Sequence, residues 1–375
     1  LGDDPCGQLF LCAGAALESE QRARMAGRQH ARRDPALHGD GQPQQADRVG
    51  DDGPGATEPG GELALAPGED HIMLMGLTAP ILTWLFPPGA DLAAAVRADL
   101  TLSAGAPWAL AEIAAAARAT GRTARVHLKV DTGLGRGGAW RDDLAGMLVD
   151  AARLEAEGVL DVEGIFSHFA YADAPDHPTV RGQQETFGVI IADAERAGLR
   201  PRIRHLANSA ATLTNPSARF DMVRPGVSIY GLSPVPDIGG PTHFGLREAM
   251  RVVARLINVK DCPAGQGISY GHQYVTKGDT RLGLVPLGYA DGIPRHASNA
   301  GPMQVGGRRY TVAGRVCMDQ MVLDLGADSP ARSGDEVVLI GREADGEPTA
   351  QDWAAAIDTI NYEIVTRLGP RVPRR

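Results

Sequence analysis

The sequence predicts an α/β fold in which a barrel-type parallel sheet with crossover helices is followed by a mostly antiparallel β domain. Three observations predict it. From about residue 79 to 232, short apolar runs alternate with alanine-rich helical stretches, the pattern of β–α units. After a Pro/Gly-rich linker, "LSPVPDIGGPTHFG", the runs become strand-like and are separated by turn residues. The 375 residues, 43% hydrophobic and 22% charged, provide for two or three domains with a large core.

Taken in order, "APILTWLF" reads as a strand, 91–98 as a helix and "DLTLSA" as a strand. "PWALAEIAAAARATG" is a helix that closes on Gly121, a residue suited to the left-handed turn at a helix end. "ARVHLKV" is a strand, 142–157 a helix, "LDVEGIFSHF" a strand, 179–197 a helix and "IRHLA" a strand. "SAATLTN" is helical, and "FDMVRPGVSIYG" contains the next strand. These make six strand–helix units where a closed barrel needs eight. Further on, "MRVVARLINVK", "TRLGLVPLGYA", "RRYTVAGRV", "QMVLDLG" and "DEVVLIG" read as strands. A helix "TAQDWAAAI", capped by Thr349 with Asp352, and the stretch "INYEIVTRLG" end the chain.

Residues 1–76 differ in texture. Between Leu17 and Leu63 the only Leu, Ile, Val or Phe residues are Leu37 and Val49. Such a segment buries too little to offset its ordering entropy, so a poorly structured segment is expected, with a helix over 9–25. The expected domains are therefore 1–76, a barrel domain over 77–236, and a β domain over 237–375. The start is acidic, unlike a signal peptide, and with Leu1 in place of Met a natural start upstream of residue 1 is an expectation. The longest apolar stretch, 72–86, is too short for a bilayer and contains Pro80. Cys6, Cys12, Cys262 and Cys317 show no C-x-x-C spacing, so neither a disulfide framework nor a metal site is expected, and a cytoplasmic setting fits. The net charge of −9 argues against broad binding to nucleic acid or anionic membranes, while leaving room for a local cationic pocket.

The stretch "RVHLKVDTGLGRGG" matches G-x-G-x-x-G at Gly133, Gly135 and Gly138, with Glu155 and Glu157 about where a ribose-binding acid would stand. A nucleotide-dependent oxidoreductase is the reading this suggests. Its context fails, because Asp131 and Thr132 separate the first glycine from the strand, and two β–α units come before it. Lys129 and Arg136 stand instead at the C-terminal end of a barrel-type strand, the face on which such folds do chemistry. His168, Asn208, Ser209 and Arg224 end other strands. Alone, His168 fits a core histidine and Arg224 a surface cation; six such residues at one rim point to a site. Ser209 and the backbone at Gly226 follow the last strands, where a hydroxyl and free amides suit a phosphate dianion.

From about residue 79 onward the chain resembles the alanine racemase family. The runs that carry the likeness are "LKVDTGLGRGG", "GIFSHFAYAD", "RHLANSAATL", "FDMVRPGVSIYG", "GQGISYGHQY", "LGYADGIPR", "AGRVCMDQMVLD" and "INYEIVTRL". The resemblance, closest to actinobacterial members, implies a (β/α)8 TIM-type barrel with a C-terminal β domain. It also implies pyridoxal 5′-phosphate (PLP) as cofactor, alanine as substrate, a cytoplasmic homodimer, and D-alanine supplied for peptidoglycan. By the same resemblance, Arg224 contacts the pyridine nitrogen and His168 packs on the ring. Asn208, Ser209, Gly226, Val227 and Tyr362 bind cofactor, four of them at the phosphate. Arg136 lies near the ring hydroxyl and the substrate carboxylate. Lys129 is a candidate for carbamylation, which would hold Arg136. The Met318 amide binds the substrate carboxylate, and Asp173, Tyr289, Arg295, Arg315 and Ile360 line the entry corridor. Tyr270 is the catalytic tyrosine, delivered to the partner's site. A tyrosine acting as a base near neutrality must have its pKa lowered by about three units, worth roughly 4 kcal/mol.

One family element is missing. The Schiff-base lysine, in a first-strand motif like V-K-A-x-A-Y-G-H-G, should fall near residue 40, yet the chain's three lysines are Lys129, Lys260 and Lys277, and its first tyrosine is Tyr171. The first two barrel strands are not recognisable either. Residues 1–76 have the length of those units without their content, which a shifted reading frame would produce. The alternative is a pseudoenzyme or defective racemase that binds PLP without racemising.

Overall fold

The computed structural model describes residues 79–375 and, before them, the backbone pair Leu11–Cys12. The chain divides into two compact units. One holds the residues through Ala170 together with Arg181–Leu206 and Phe220–Met222; the other holds Tyr171–Val180, Ala207–Arg219 and Val223–Arg375.

The first unit carries a six-stranded parallel sheet in sequential order: β1 (Leu11–Cys12), β2 (Ile81–Thr83), β3 (Thr101–Ala104), β4 (Ala124–Lys129), β5 (Leu160–Phe166) and β6 (Ile203–His205). Helices α1 (Leu92–Arg97), α2 (Pro107–Thr120), α3 (Asp142–Ala156) and α4 (Pro178–Arg196) connect β2 to β6 in turn. This is an open stretch of barrel wall. The central strands bury most of their length, with Leu102, Val126, Leu128 and Ile165 at 0% exposure, while Arg125, Lys129 and Asp161 stay half-buried. Helix α2 begins with Pro107 in its first turn, where no intrahelical N–H is required, and stops at Gly121 at φ 65°. Gly164 on β5 faces His127, and a Cβ there would lie 2.6 Å from the imidazole, so only glycine fits.

Two expectations need correction. Residues 11–12, placed in a helix over 9–25, are extended and pair with Ile81–Leu82; the rest of that stretch lies outside the described residues. The strand expected within "FDMVRPGVSIYG" reduces to one parallel bridge, Asn208 with Arg224, followed by a 3-10 turn over Val227–Tyr230. Pro225 lacks an amide and Gly226 resists extension, so a ladder cannot continue there. From residue 79 on, the sheet therefore has five strands rather than six.

In the second unit, helix α5 (Ser209–Thr214) precedes nine short strands. A four-stranded sheet runs β13 (Arg308–Thr311), β12 (Pro302–Val305), β15 (Glu336–Ile340), β7 (Val252–Arg255). A three-stranded sheet runs β14 (Met321–Asp324), β11 (Thr280–Val285), β8 (Asn258–Cys262), and β9 (Gly267–Ile268) pairs with β10 (Tyr274–Val275). Every pairing within these three sheets is antiparallel. Helices α6 (Ala350–Ala356) and α7 (Asn361–Thr366) complete the unit. Its core packs Trp353 among Val285, Met303, Leu323, Leu325, Val337 and Leu339, all at most 1% exposed. The Trp353 indole donates to the Leu339 carbonyl at 2.6 Å, so the one polar atom of that side chain is bonded. Thr349 and Asp352 cap α6 reciprocally, as expected. Cys262 is buried and Cys317 half-buried, both as free thiols. Among the described residues no helix is long and apolar enough to cross a membrane.

Candidate functional site

Lys129 ends β4, pairs in register with Phe166 and is half-buried. The chain then makes a loop that returns beside its own start: Val130 bridges Ala139, the Ala139 amide donates to the Lys129 carbonyl at 2.9 Å, and the Asp131 amide to the Ala139 carbonyl at 3.0 Å. The interior is filled by the Asp131 carboxylate, 5% exposed. It accepts the amides of Gly133 (2.8 Å), Leu134 (2.9 Å), Gly135 (2.9 Å) and Arg136 (3.2 Å). Curling four amides onto one carboxylate requires left-handed backbone, supplied by Gly133 (φ 129°) and Gly135 (φ 71°). At Gly138 (φ 127°) a Cβ would lie 2.6 Å from the Val130 carbonyl carbon. The glycines thus serve a closed loop with Arg136 exposed at its tip. The amides that would have cradled a pyrophosphate already hold Asp131, so this loop offers nothing to the oxidoreductase reading.

His168 follows β5 at the same end of the sheet and is half-buried. Beside it, Thr132 and Ser167 share a hydrogen bond of 2.9 Å, and Gln183 of α4 reaches both loops. Sequence reasoning overlooked Asp131 and Gln183. The signals were an aspartate just before a run of glycines, and a glutamine on the buried stripe of a helix.

In the second unit, Asn208 caps α5, its side-chain oxygen accepting the Ala211 amide at 3.1 Å. Ser209 is buried and its hydroxyl oxygen accepts the Gly226 amide at 2.7 Å. With its oxygen accepting there, the Ser209 hydroxyl keeps its hydrogen as a donor, next to the 3-10 turn opened by Val227. A Cβ on Gly226 would meet only the Ser209 oxygen, at 3.9 Å, so a glycine here keeps open space in front of the hydroxyl. Arg224 is 8% exposed, with its amide on the Ala207 carbonyl at 2.9 Å. Burial, then the charge of Asp173, pushes the Tyr362 phenol above its ordinary pKa, so Tyr362 is a proton donor throughout the physiological range.

Two further groupings form in this unit. The Tyr289 and Ala290 amides donate to the carbonyls of Cys317 (3.0 Å) and Met318 (2.8 Å), clipping the exposed Met318 loop to the Tyr289 turn. Gly288 permits this contact, since a Cβ there would lie 2.3 Å from the Cys317 carbonyl oxygen. Tyr270 is 70% exposed in a turn held by the Ser269 hydroxyl donating to the Arg315 carbonyl at 2.8 Å. Arg295 lies exposed in a 3-10 turn, and Ile360, also exposed, immediately precedes α7. A cleft of about 350 Å³ lined by Ser233, Glu248, Arg309, Asp352 and Asn361 contains none of the site residues expected from sequence.

Comparison with known proteins adds the family context. Residues 69–234 match the family model described as alanine racemase, N-terminal domain, and residues 249–375 that described as alanine racemase, C-terminal domain. The chain is 61% identical over 300 residues to the alanine racemase of Frankia casuarinae, covering 80% of this chain and 78% of that protein. It is 57% identical over 295 residues to that of Streptomyces coelicolor, covering 78% and 75%. Among solved structures, alanine racemase from a D-cycloserine-producing Streptomyces lavendulae superposes with a TM-score of 0.79 at 52% identity, over 81% of this chain and 79% of that one.

Proposed function

The chain belongs to the alanine racemase family of isomerases, and from that premise we propose that it interconverts L-alanine and D-alanine using PLP. The observation that carries the cofactor reading is the Ser209–Gly226 pair. A buried hydroxyl with its hydrogen free to donate, an open space where a Cβ would stand, and a 3-10 turn beginning at Val227 suit a phosphate dianion. Tyr362, held protonated, adds a donor of the right kind. When bound, PLP supplies the electron sink that makes the alanine Cα–H acidic.

The chain's own residues do the rest. With PLP bound, the Arg224 guanidinium, always charged, would keep a proton off the pyridine nitrogen and so moderate that electron sink, and His168 would pack against the ring. Arg136 and the Met318 amide orient the substrate carboxylate, and Lys129, if carbamylated, presents a negative charge that holds Arg136. Tyr270 moves the proton on one face of Cα, in the site of a second copy of the chain, which fits its 70% exposure. Asp173, Tyr289, Arg295, Arg315 and Ile360 filter what enters. D-alanine made in the cytoplasm would feed peptidoglycan.

One observation favours a second reading. No lysine precedes Lys129, so the residue that would link the cofactor and serve the opposite face of Cα is missing as written. Losing a general base alone costs about 10²- to 10⁴-fold. Either residues 1–76 are a frame-shifted stretch of an active racemase, or the chain is a defective form that binds PLP without turnover. Translating the encoding DNA in the other two frames decides the first; if neither frame yields a lysine-bearing strand, the frameshift is ruled out. For the purified chain, PLP titration with a D-alanine-oxidase assay is the direct test. Binding with turnover supports the racemase, binding without turnover the defective form, and no binding removes both.

A further inference from the structure

We propose that Gln183 is a positioning residue that locks the loop carrying Arg136 to the loop carrying His168, and so sets the pair that meets the cofactor ring. The proposal rests on the PLP reading above. Gln183 stands on the buried stripe of α4 together with Val180, Phe187, Ile190 and Ala194, and is itself 2% exposed. A polar side chain at such a position is costly unless fully bonded. Here it is. The Gln183 Oε1 accepts the Ala170 amide at 2.8 Å, while Nε2 donates to the Thr132 hydroxyl at 3.1 Å and to the His168 carbonyl at 3.0 Å. Thr132 in turn meets the Ser167 hydroxyl at 2.9 Å.

The chemistry of these partners selects glutamine. A reversed amide would set its carbonyl against the His168 carbonyl and its NH₂ against the Ala170 amide. Glutamate could accept from Ala170 but could not donate to Thr132 or His168, and methionine could do neither. The fit extends to the glycine loop, where a Cβ on Gly133 would touch the Gln183 stem at 3.8 Å. Asp131 shapes residues 133–136 from within, and Gln183 ties that shaped loop to the backbone of His168. The clasp thus acts on two of the three side chains assigned to the ring, Arg136 and His168, whereas Arg224 and the phosphate residues Ser209, Gly226, Val227 and Tyr362 are carried on other elements.

The test uses the full chain with Gln183→Glu, Gln183→Met and the milder Thr132→Val. Hydrogen exchange without ligand should quicken about tenfold or more at 132–136 and 168–170 in both Gln183 variants, with other segments unchanged. Thr132→Val should loosen the same two segments, and adding it to Gln183→Met should give less than the sum of the single changes. Unchanged exchange at both loops, or strict additivity, overturns the clasp. In ligand titrations, Gln183→Glu should weaken PLP about tenfold while leaving inorganic phosphate within about twofold. Equal weakening of both would make Gln183 a general structural residue and overturn the inference. A wild-type chain that takes up no PLP removes the cofactor reading and the ring-setting half of the proposal, and the exchange measurement still decides the clasp.

Discussion

The loop after β4 and the turn at Gly226 are both glycine-bearing segments that follow a strand residue, and they use their amides in opposite ways. In the first, four amides converge on the chain's own carboxylate, Asp131, and the loop is closed upon itself. In the second, the Gly226 amide is bonded to a neutral hydroxyl, that of Ser209, and Gly226 itself is exposed. An internal anion makes a rigid platform for side chains at its tip. The second segment, built on a neutral hydroxyl, is the one proposed above to receive an external anion. The glycine letters alone do not distinguish these; the acidic residue beside them does.

The sharpest way to break this contrast is to remove the internal anion. Asp131→Ala leaves four amides without their acceptor in a loop whose glycines add conformational freedom to the unfolded chain. A loss of about 3 kcal/mol in stability is expected, because four hydrogen bonds to a charged group are lost and each is worth more than a neutral one. Urea denaturation at neutral pH measures it, and a loss under about 1 kcal/mol would mean that the loop holds its shape without the carboxylate. Asp131→Asn should fall between the two, since the amide keeps one acceptor oxygen. Gly138→Ala tests the same loop from its exit. With φ 127° and a Cβ 2.6 Å from the Val130 backbone, it should lose about 2 kcal/mol by the same assay.

The turn at Gly226 predicts a different pattern, with more effect on ligand than on fold. Ser209→Ala removes one donor to the anion and the acceptor of the Gly226 amide. PLP and inorganic phosphate should both bind about tenfold more weakly, with only about 1 kcal/mol lost in stability. If Ser209→Ala destabilises as much as Asp131→Ala does, the turn is another closed structural loop and the contrast fails. Fluorescence or calorimetric titration with inorganic phosphate reads the first effect, and urea denaturation the second.

The same contrast explains what was legible in the sequence. Strands β2 to β6 were visible because each falls in a short, largely apolar stretch between helical patterns, with β3 fully buried and β6 marked mainly by its place in the alternation. The bridge at Arg224 was over-read as a strand because Met222 and Val223 look extended while Pro225 and Gly226 stop the ladder just beyond. The antiparallel strands followed from β-branched runs between turn residues, but β9, β10 and β12 are too short or too broken by Gly and Pro to announce themselves. Among the residues expected at the site, the types were readable and their wiring was not. Lys129, Arg136, His168 and Ser209 are conspicuous because charge, imidazole or hydroxyl falls at a strand's end. Asp131 and Gln183 act only through bonds to backbone and neighbours, which no local periodicity encodes. Asn208 shows the reverse: conspicuous by type, its side-chain oxygen is engaged in capping α5.

The smallest effect concerns Tyr362, and it separates the two kinds of anion again. Burial comes first, then the charge of Asp173, in raising the Tyr362 pKa above 10.0. The folded state therefore holds the phenol's proton more tightly than the unfolded state does. The associated stability is fully present below pH 10 and is lost as pH rises through the folded value. Asp173→Asn removes the charge but not the burial, so the Tyr362 pKa should fall part of the way back and remain above the ordinary value. Tyrosinate absorbance near 295 nm follows this, in a Tyr274→Phe background. That background is needed because Tyr274, half-buried and donating to Asp324 at 2.7 Å, is itself pushed up to about 12 by burial and that carboxylate. A phosphate dianion bound at Ser209 and Gly226 should act on Tyr362 as Asp173 does, raising its pKa further, because the protonated phenol is the form that can donate to it. If inorganic phosphate leaves the Tyr362 titration unmoved while still binding, then Tyr362 is no part of the receptor, and the turn at Gly226 works without it.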